Sequence, residues 1–160
     1  MQAHDGQDIA RQTVDALQAG LGHRLVAVVL FGSRARGDAS SASDWDVLVI
    51  AEGLADKSFK RHQSLKRLLP VDCRGALSLL AKTPQEFEAN LPSLYLDIAL
   101  DGRILYDPHG YAAERLAALQ RLLKQAGLYR ERIEAGDVWR WQEQPSGPWA
   151  LKWEMAHAGH

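Results

Sequence analysis

Apolar residues recur at helical spacing from about Asp5 to Leu21, at Ile9, Val14, Leu17 and Leu21, and Gly20 and Gly22 supply stop signals. Leu25 to Phe31 (LVAVVLF) is a continuous apolar run rich in β-branched residues and closed by glycine, which predicts a buried strand, and Trp45 to Ala51 (WDVLVIA) predicts another. The segment between them, GSRARGDASSASD, is too polar for a core and must be a loop or a short helical turn. Asp56 to Leu69 patterns as an amphipathic helix with Phe59, Leu65, Leu68 and Leu69 on its apolar side, stopped by Pro70. Val71 to Lys82 predicts a third strand, clearest at GALSLLAK. Thr83, Pro84 and Glu86 then spell a helix start: a hydroxyl cap, a proline at the first helical position and a glutamate at the third. Pro92 interrupts before a helical SLYLDIALDG, RILYD reads as a short strand, and Tyr111 to Ala126 is amphipathic through Leu116, Leu119, Leu122 and Leu123. From Gly136 the period changes to two, so DVWRWQE, a PSGP turn and WALKWE predict a tryptophan-rich β-hairpin. In it Trp139 and Trp141 share one face, and Trp149, Leu151 and Trp153 share one face of the partner strand. The final residues, MAHAGH, pattern as a loose tail. The fold class implied is α/β, of the α+β kind, with a small mixed sheet flanked by helices.

At 160 residues one domain is the expectation, and 46% hydrophobic with 24% charged residues is an ordinary globular balance. No apolar run approaches the length of about 18 residues that spans a bilayer, and the N-terminus lacks a signal-peptide pattern, so a cytoplasmic location is expected. A net charge of −1, from 19 basic and 20 acidic residues, supplies no global field to attract a long nucleic acid. A lone cysteine, Cys73, excludes an internal disulfide and reads as a small buried hydrophobe, while the six scattered histidines lack the spacing of a metal site. Asp97 and Asp101, spaced i,i+4, read as a solvated helix face, as do Lys57, Lys60, Arg61, Lys66 and Arg67. The tryptophans read as a lid packed on the sheet.

The chemistry concentrates between residues 31 and 50. One strand delivers Gly32 and Ser33 at its end, ten residues intervene, and Asp44 and Asp46 open the next strand. Side chains two apart on a strand project from one face, so the two carboxylates stand together. Such a pair repels itself unless a cation relieves it, and oxygen donors suit a hard divalent ion, Mg²⁺ before Mn²⁺. Gly32 permits close backbone approach, and the Ser33 hydroxyl with the following amides can donate to phosphate oxygens. Arg34 and Arg36 add positive charge on the same loop, where a polyphosphate would sit.

The segment GSRARGDASSASDWDVLV resembles the signature of minimal nucleotidyltransferase (MNT) domains of the DNA polymerase β superfamily, closely over Val26 to Ile50 and in element order through Tyr106. The resemblance implies a polymerase β-type fold, with residues 1–107 as the nucleotidyltransferase core, 108–154 as a C-terminal helix and hairpin extension of the same domain, and 155–160 as a disordered tail. It also implies transfer of a nucleoside monophosphate from a triphosphate, with pyrophosphate leaving. Gly32 and Ser33 would hold the β and γ phosphates, and Asp44 and Asp46 would coordinate Mg²⁺. ATP is the first donor to expect. The GSX10DXD pattern from Gly32 to Asp46 is similar to that of stand-alone antitoxins that neutralise helical HEPN toxins by adenylylation or by binding. Members of the superfamily resemble one another in a third carboxylate on the next strand. Counting back from Thr83 puts Ser78 there, and Asp72, six residues earlier, is the other candidate for the third ligand. The alternative to an enzyme is therefore a nucleotide-binding or protein-docking module on the same fold.

Overall fold

The computed structural model describes residues 2–147 and 150–157, the first five by backbone alone. Helix α1 (Gln2–Leu21) leads through a 3-10 turn into β1 (Leu25–Phe31), which ends at the short α2 (Ser33–Arg36). Strand β2 (Trp45–Ala51), helices α3 (Ser58–Leu68) and α4 (Val71–Arg74), and strand β3 (Leu77–Lys82) follow. Helices α5 (Pro84–Ala89) and α6 (Ser93–Asp101), strand β4 (Arg103–Tyr106) and helix α7 (Tyr111–Ala126) come next. Strands β5 (Leu128–Ile133) and β6 (Gly136–Trp141) and helix α8 (Trp153–His157) complete the order.

The four-stranded sheet runs β3-β2-β1-β4. It is mixed: β1 is antiparallel to β2 and to β4, whereas β2 and β3 are parallel. The parallel pair follows from the helical crossover between them, and the antiparallel β1–β2 pair follows from the short polar connector. Both sheet faces are covered, which explains why β1 and β2 are apolar without alternation. Ala27, Val29, Leu48 and Ile50 pack with Phe87, Ile98, Leu119 and Trp153, and Val28, Leu30, Val47 and Val49 pack with Leu17, Leu65 and Cys73. Asp46 has the parity of Leu48 and Ile50 and so belongs to the face covered by α6 and α7.

Thr83 caps α5 as expected, accepting from the Glu86 amide while the Glu86 carboxylate accepts from the Thr83 amide, and Pro84 opens the helix. Cys73 is buried, as expected. Three elements differ from expectation. The predicted strand over Val71–Lys82 begins only at Leu77, because Pro70 and Asp72 start a helical turn that places residues 71–74 in α4. The tryptophan hairpin is shifted upstream: β6 pairs with β5, from Leu128↔Trp141 to Ile133↔Gly136. The strand LYRERI does alternate, but its arginines hide the period in a hydrophobicity reading. WALKWE is not a strand, and Trp149 lies outside the described residues.

Residues 155–157 of the expected tail are helical in α8, and 158–160 lie outside the described residues. The helix is held by Trp153, whose indole N–H donates to the Phe87 carbonyl at 2.8 Å and the Asn90 carbonyl at 2.9 Å, with its ring 5.2 Å from that of Phe87. Among the described residues no helix is long and apolar enough to cross a membrane.

Trp153→Ala should lower unfolding free energy by about 3–5 kcal/mol, the cost of emptying a buried aromatic site. Trp153→Phe, which keeps most of the volume but leaves two carbonyls without their donor, should cost about 1–3 kcal/mol. Urea denaturation of both variants measures the difference.

Candidate active site

At the end of β1 the chain makes a bend that only glycine adopts freely, with Gly32 at φ 74° and ψ −158°. The Gly32 carbonyl accepts from the amides of Ala35 and Arg36, both at 3.1 Å, which winds α2. By helix geometry the amides of Ser33 and Arg34 have no partner within the turn and face outward at its start. A Cβ on Gly32 would lie 2.3 Å from Asp46 Oδ2. The missing side chain is therefore what lets the backbone lie against that carboxylate. Strand register sets this contact: Phe31 pairs with Asp46 across β1 and β2, so the residue after Phe31 must pass the Asp46 side chain.

On its other side Asp46 pairs with Ser78 of β3. Of the two residues weighed for the third position, the register puts Ser78 next to Asp46. Ser78, not a carboxylate, stands beside Asp46 in the sheet, and its hydroxyl favours the ionised form of Asp46. Asp72, the carboxylate candidate, is on α4, outside the strand. Among the described residues no group of three or more acidic, histidine or cysteine side chains is arranged to hold a metal.

The Asp46 carboxyl is pushed above the usual carboxylate range, mainly by burial and then by the neighbouring Asp44, against smaller opposing effects of Ser78 and Arg36. No ion pair relieves either acid among the described residues. Two oxygen-donor carboxylates with only partly compensated repulsion suit Mg²⁺, which takes one or two protein carboxylates and completes its shell with water and phosphate oxygens.

Arg34 and Arg36, expected together on the phosphates, separate. Arg34 donates from Nε and Nη2 to the Ser43 carbonyl at 3.3 and 2.9 Å and lies over the Trp45 ring at 4.7 Å. It staples the connector shut. The charge of Arg36 acts on nearby Asp46, and Arg36 belongs to a closed ring of alternating charges reaching the C-terminal hairpin. Arg36 Nε lies 3.2 Å from Asp38, Asp38 lies 3.6 Å from Arg132, and Arg132 lies 3.1 Å from Asp137. Asp137 lies 3.9 Å from Arg130, Arg130 lies 2.6 Å from Asp101, and Asp101 returns to Arg36 at 3.9 Å. These six side chains line a cavity of about 420 Å³.

Asp97 and Asp101 are therefore not a solvated face: both accept from Arg130, Asp101 through two oxygens at 2.6 and 2.8 Å and Asp97 at 3.1 Å. The basic helix α3 is likewise only partly solvated. Buried Arg61 donates to the Ala55 and Ala81 carbonyls and to Glu86. Lys66 donates to the Arg74 carbonyl at 2.6 Å and to the Leu77 carbonyl, tying down the residue before Ser78. Burial lowers the Lys66 ammonium, and the nearby Asp44 opposes that. Neither Lys66 nor Arg130 stands out in sequence as part of the site. The only signal for Arg130 is its same-face alternation with Arg132.

Residues 11–123 match the family described as the nucleotidyltransferase domain. The chain belongs to that family. A candidate protein adenylyltransferase of Methanocaldococcus jannaschii is 30% identical over 107 residues, which cover 64% of this chain and 73% of that nucleotidyltransferase. Among solved structures, a toxin-antitoxin with AMP-PNP superposes with a TM-score of 0.50 at 18% identity, covering 72% of this chain and 90% of its own. A complex of tri-AMPylated Shewanella oneidensis HEPN toxin with MNT antitoxin gives 0.46 at 17% identity, covering 74% and 90%. The mixed sheet flanked by helices is thus the nucleotidyltransferase fold.

Because folding raises the affinity of Asp46 for a proton, its ionisation costs the folded state stability. That cost grows as pH rises from the ordinary carboxylate range through the higher folded value, and it is complete above it. Asp46→Asn should therefore raise the melting temperature in metal-free buffer at neutral pH, by an amount that shrinks on acidification. Only the unsubstituted protein should gain further stability from Mg²⁺ or Mn²⁺. Thermal scans across pH, with and without metal, test both statements.

Proposed function

We propose that this nucleotidyltransferase transfers the adenylyl group of ATP to a hydroxyl of a protein acceptor, with a HEPN-type helical toxin as the partner and Asp44, Asp46, Gly32, Ser33 and Arg36 as the site. The observation that carries the reading is the pair Asp44 and Asp46, with Asp46 packed against the Gly32 bend and its charge only partly relieved, by Ser78 and Arg36. The relationship to a candidate protein adenylyltransferase supports AMP as the group and a protein as the acceptor. The GSX10DXD spacing supports the antitoxin role.

In this reading the outward amides of Ser33 and Arg34, with the Ser33 hydroxyl, bind the outer phosphates, and Arg36 adds its guanidinium. Asp44 and Asp46 would hold Mg²⁺, which when bound offsets charge on the phosphates of the in-line transition state. The acceptor oxygen forms a bond to the α-phosphorus as the bond to the β-phosphate oxygen breaks, and pyrophosphate departs. Ser78, beside Asp46 in the sheet, is no base at neutral pH, so the acceptor proton passes to water. Ser78 is also what favours a second reading, a nucleotide-binding module that neutralises its partner by docking alone.

With ATP, Mg²⁺ and a HEPN-type toxin encoded beside it, the protein should add AMP mass to a toxin hydroxyl, read by intact-protein mass spectrometry. Asp44→Asn/Asp46→Asn should reduce the rate on the order of a hundredfold or more, the worth of several kcal/mol of metal-dependent stabilisation. Nucleotide binding by calorimetry without any AMP transfer would select the module instead. No binding of ATP with Mg²⁺ would overturn both.

A further inference from the structure

The C-terminal hairpin has no role in the reading above, yet one of its residues sits where it can decide how freely Arg36 meets phosphate. Arg36 is shared. Its Nε is held by Asp38 at 3.2 Å, its charge acts on nearby Asp46, and Asp101 approaches its Nη1 to 3.9 Å, beyond hydrogen-bond reach. Asp101 is only 14% exposed, and both its oxygens are taken by Arg130 at 2.6 and 2.8 Å. A partly buried carboxylate without a partner seeks the nearest guanidinium, and Arg36 is the other cation in contact. Arg130 holds Asp101 away from that pairing and also engages Asp97 at 3.1 Å.

We propose that Arg130 is a positioning residue of the nucleotide site, acting through Asp101 to keep Arg36 available for the polyphosphate. The hairpin is thereby part of the site without touching the nucleotide. This inference rests on the reading of Arg36 as a phosphate ligand. The ring fixes the sign of each perturbation. Removing Arg130 releases Asp101 to capture Arg36 and removes a positive charge near the polyanion, and both effects weaken binding. Removing the Asp101 charge takes a negative charge from beside Arg36 and the polyanion, which strengthens binding. Damage to the fold would weaken binding in either variant, so opposite signs separate positioning from structural support.

The test is calorimetric titration of the full chain with Mg²⁺ and a non-hydrolysable ATP analogue. Arg130→Gln should weaken binding about fivefold or more and Asp101→Asn should tighten it about threefold or more, within the usual range of coupling between sites. Arg130→Gln/Asp101→Asn should return to within about twofold of the unsubstituted protein. In an Arg36→Ala background the effect of Arg130→Gln should shrink to the remainder due to charge alone. Weakening in both single variants, or no change in either while Arg36→Ala abolishes binding, overturns the inference and leaves the site reading intact. If Arg36→Ala binds as tightly as the unsubstituted protein, the reading of Arg36 falls first and the inference with it.

Discussion

The repulsion between Asp44 and Asp46 is the constraint around which this part of the molecule is arranged. Burial makes the charge on Asp46 costlier, and the protein supplies only partial relief: the hydroxyl of Ser78 on one side and the more distant field of Arg36. Natural proteins retain such unfavourable arrangements mainly at functional sites, where a ligand completes what folding leaves undone. Much of the surrounding structure serves to hold the pair in place. Strand β2 is pinned between β1 and β3, Arg34 closes the connector, and Lys66 ties the start of β3 to α3. None of these supports cancels the charge itself.

The strand pair β1–β2, the connector and the acid pair were legible in sequence because they are local. An apolar run closed by Gly32 and an alternating Asp-x-Asp at a strand start report on neighbours a few residues away. Ser78 was also legible, by counting back from the capping signal at Thr83, but its contest with Asp72 needed the start of β3 to be known. Pro70 moved that start: a proline stops one helix and can equally open another turn, and composition does not say which.

The roles of Asp97, Asp101, Arg61 and Lys66 were illegible for a different reason. Their long or charged side chains pattern as solvent-facing, and only their distant partners, Arg130, Glu86 and the carbonyls of Arg74 and Leu77, turn them inward. The hairpin failed the same way, since the charges of LYRERI conceal a strand whose arginines are used against the loop at the far end of the chain.

That distance along the chain matters for the order in which the site is assembled. Gly32, Arg36, Asp44 and Asp46 lie within one short stretch, and the contacts that shape their bend are short-range, of the kind that close quickly. The guanidinium that restrains Asp101 arrives much later in a chain made from its N-terminus. A growing polypeptide therefore carries a finished phosphate bend while Asp101 has only Arg36, itself already paired with Asp38, to turn to, an arrangement that favours a loop closed on itself until the last strands have been added.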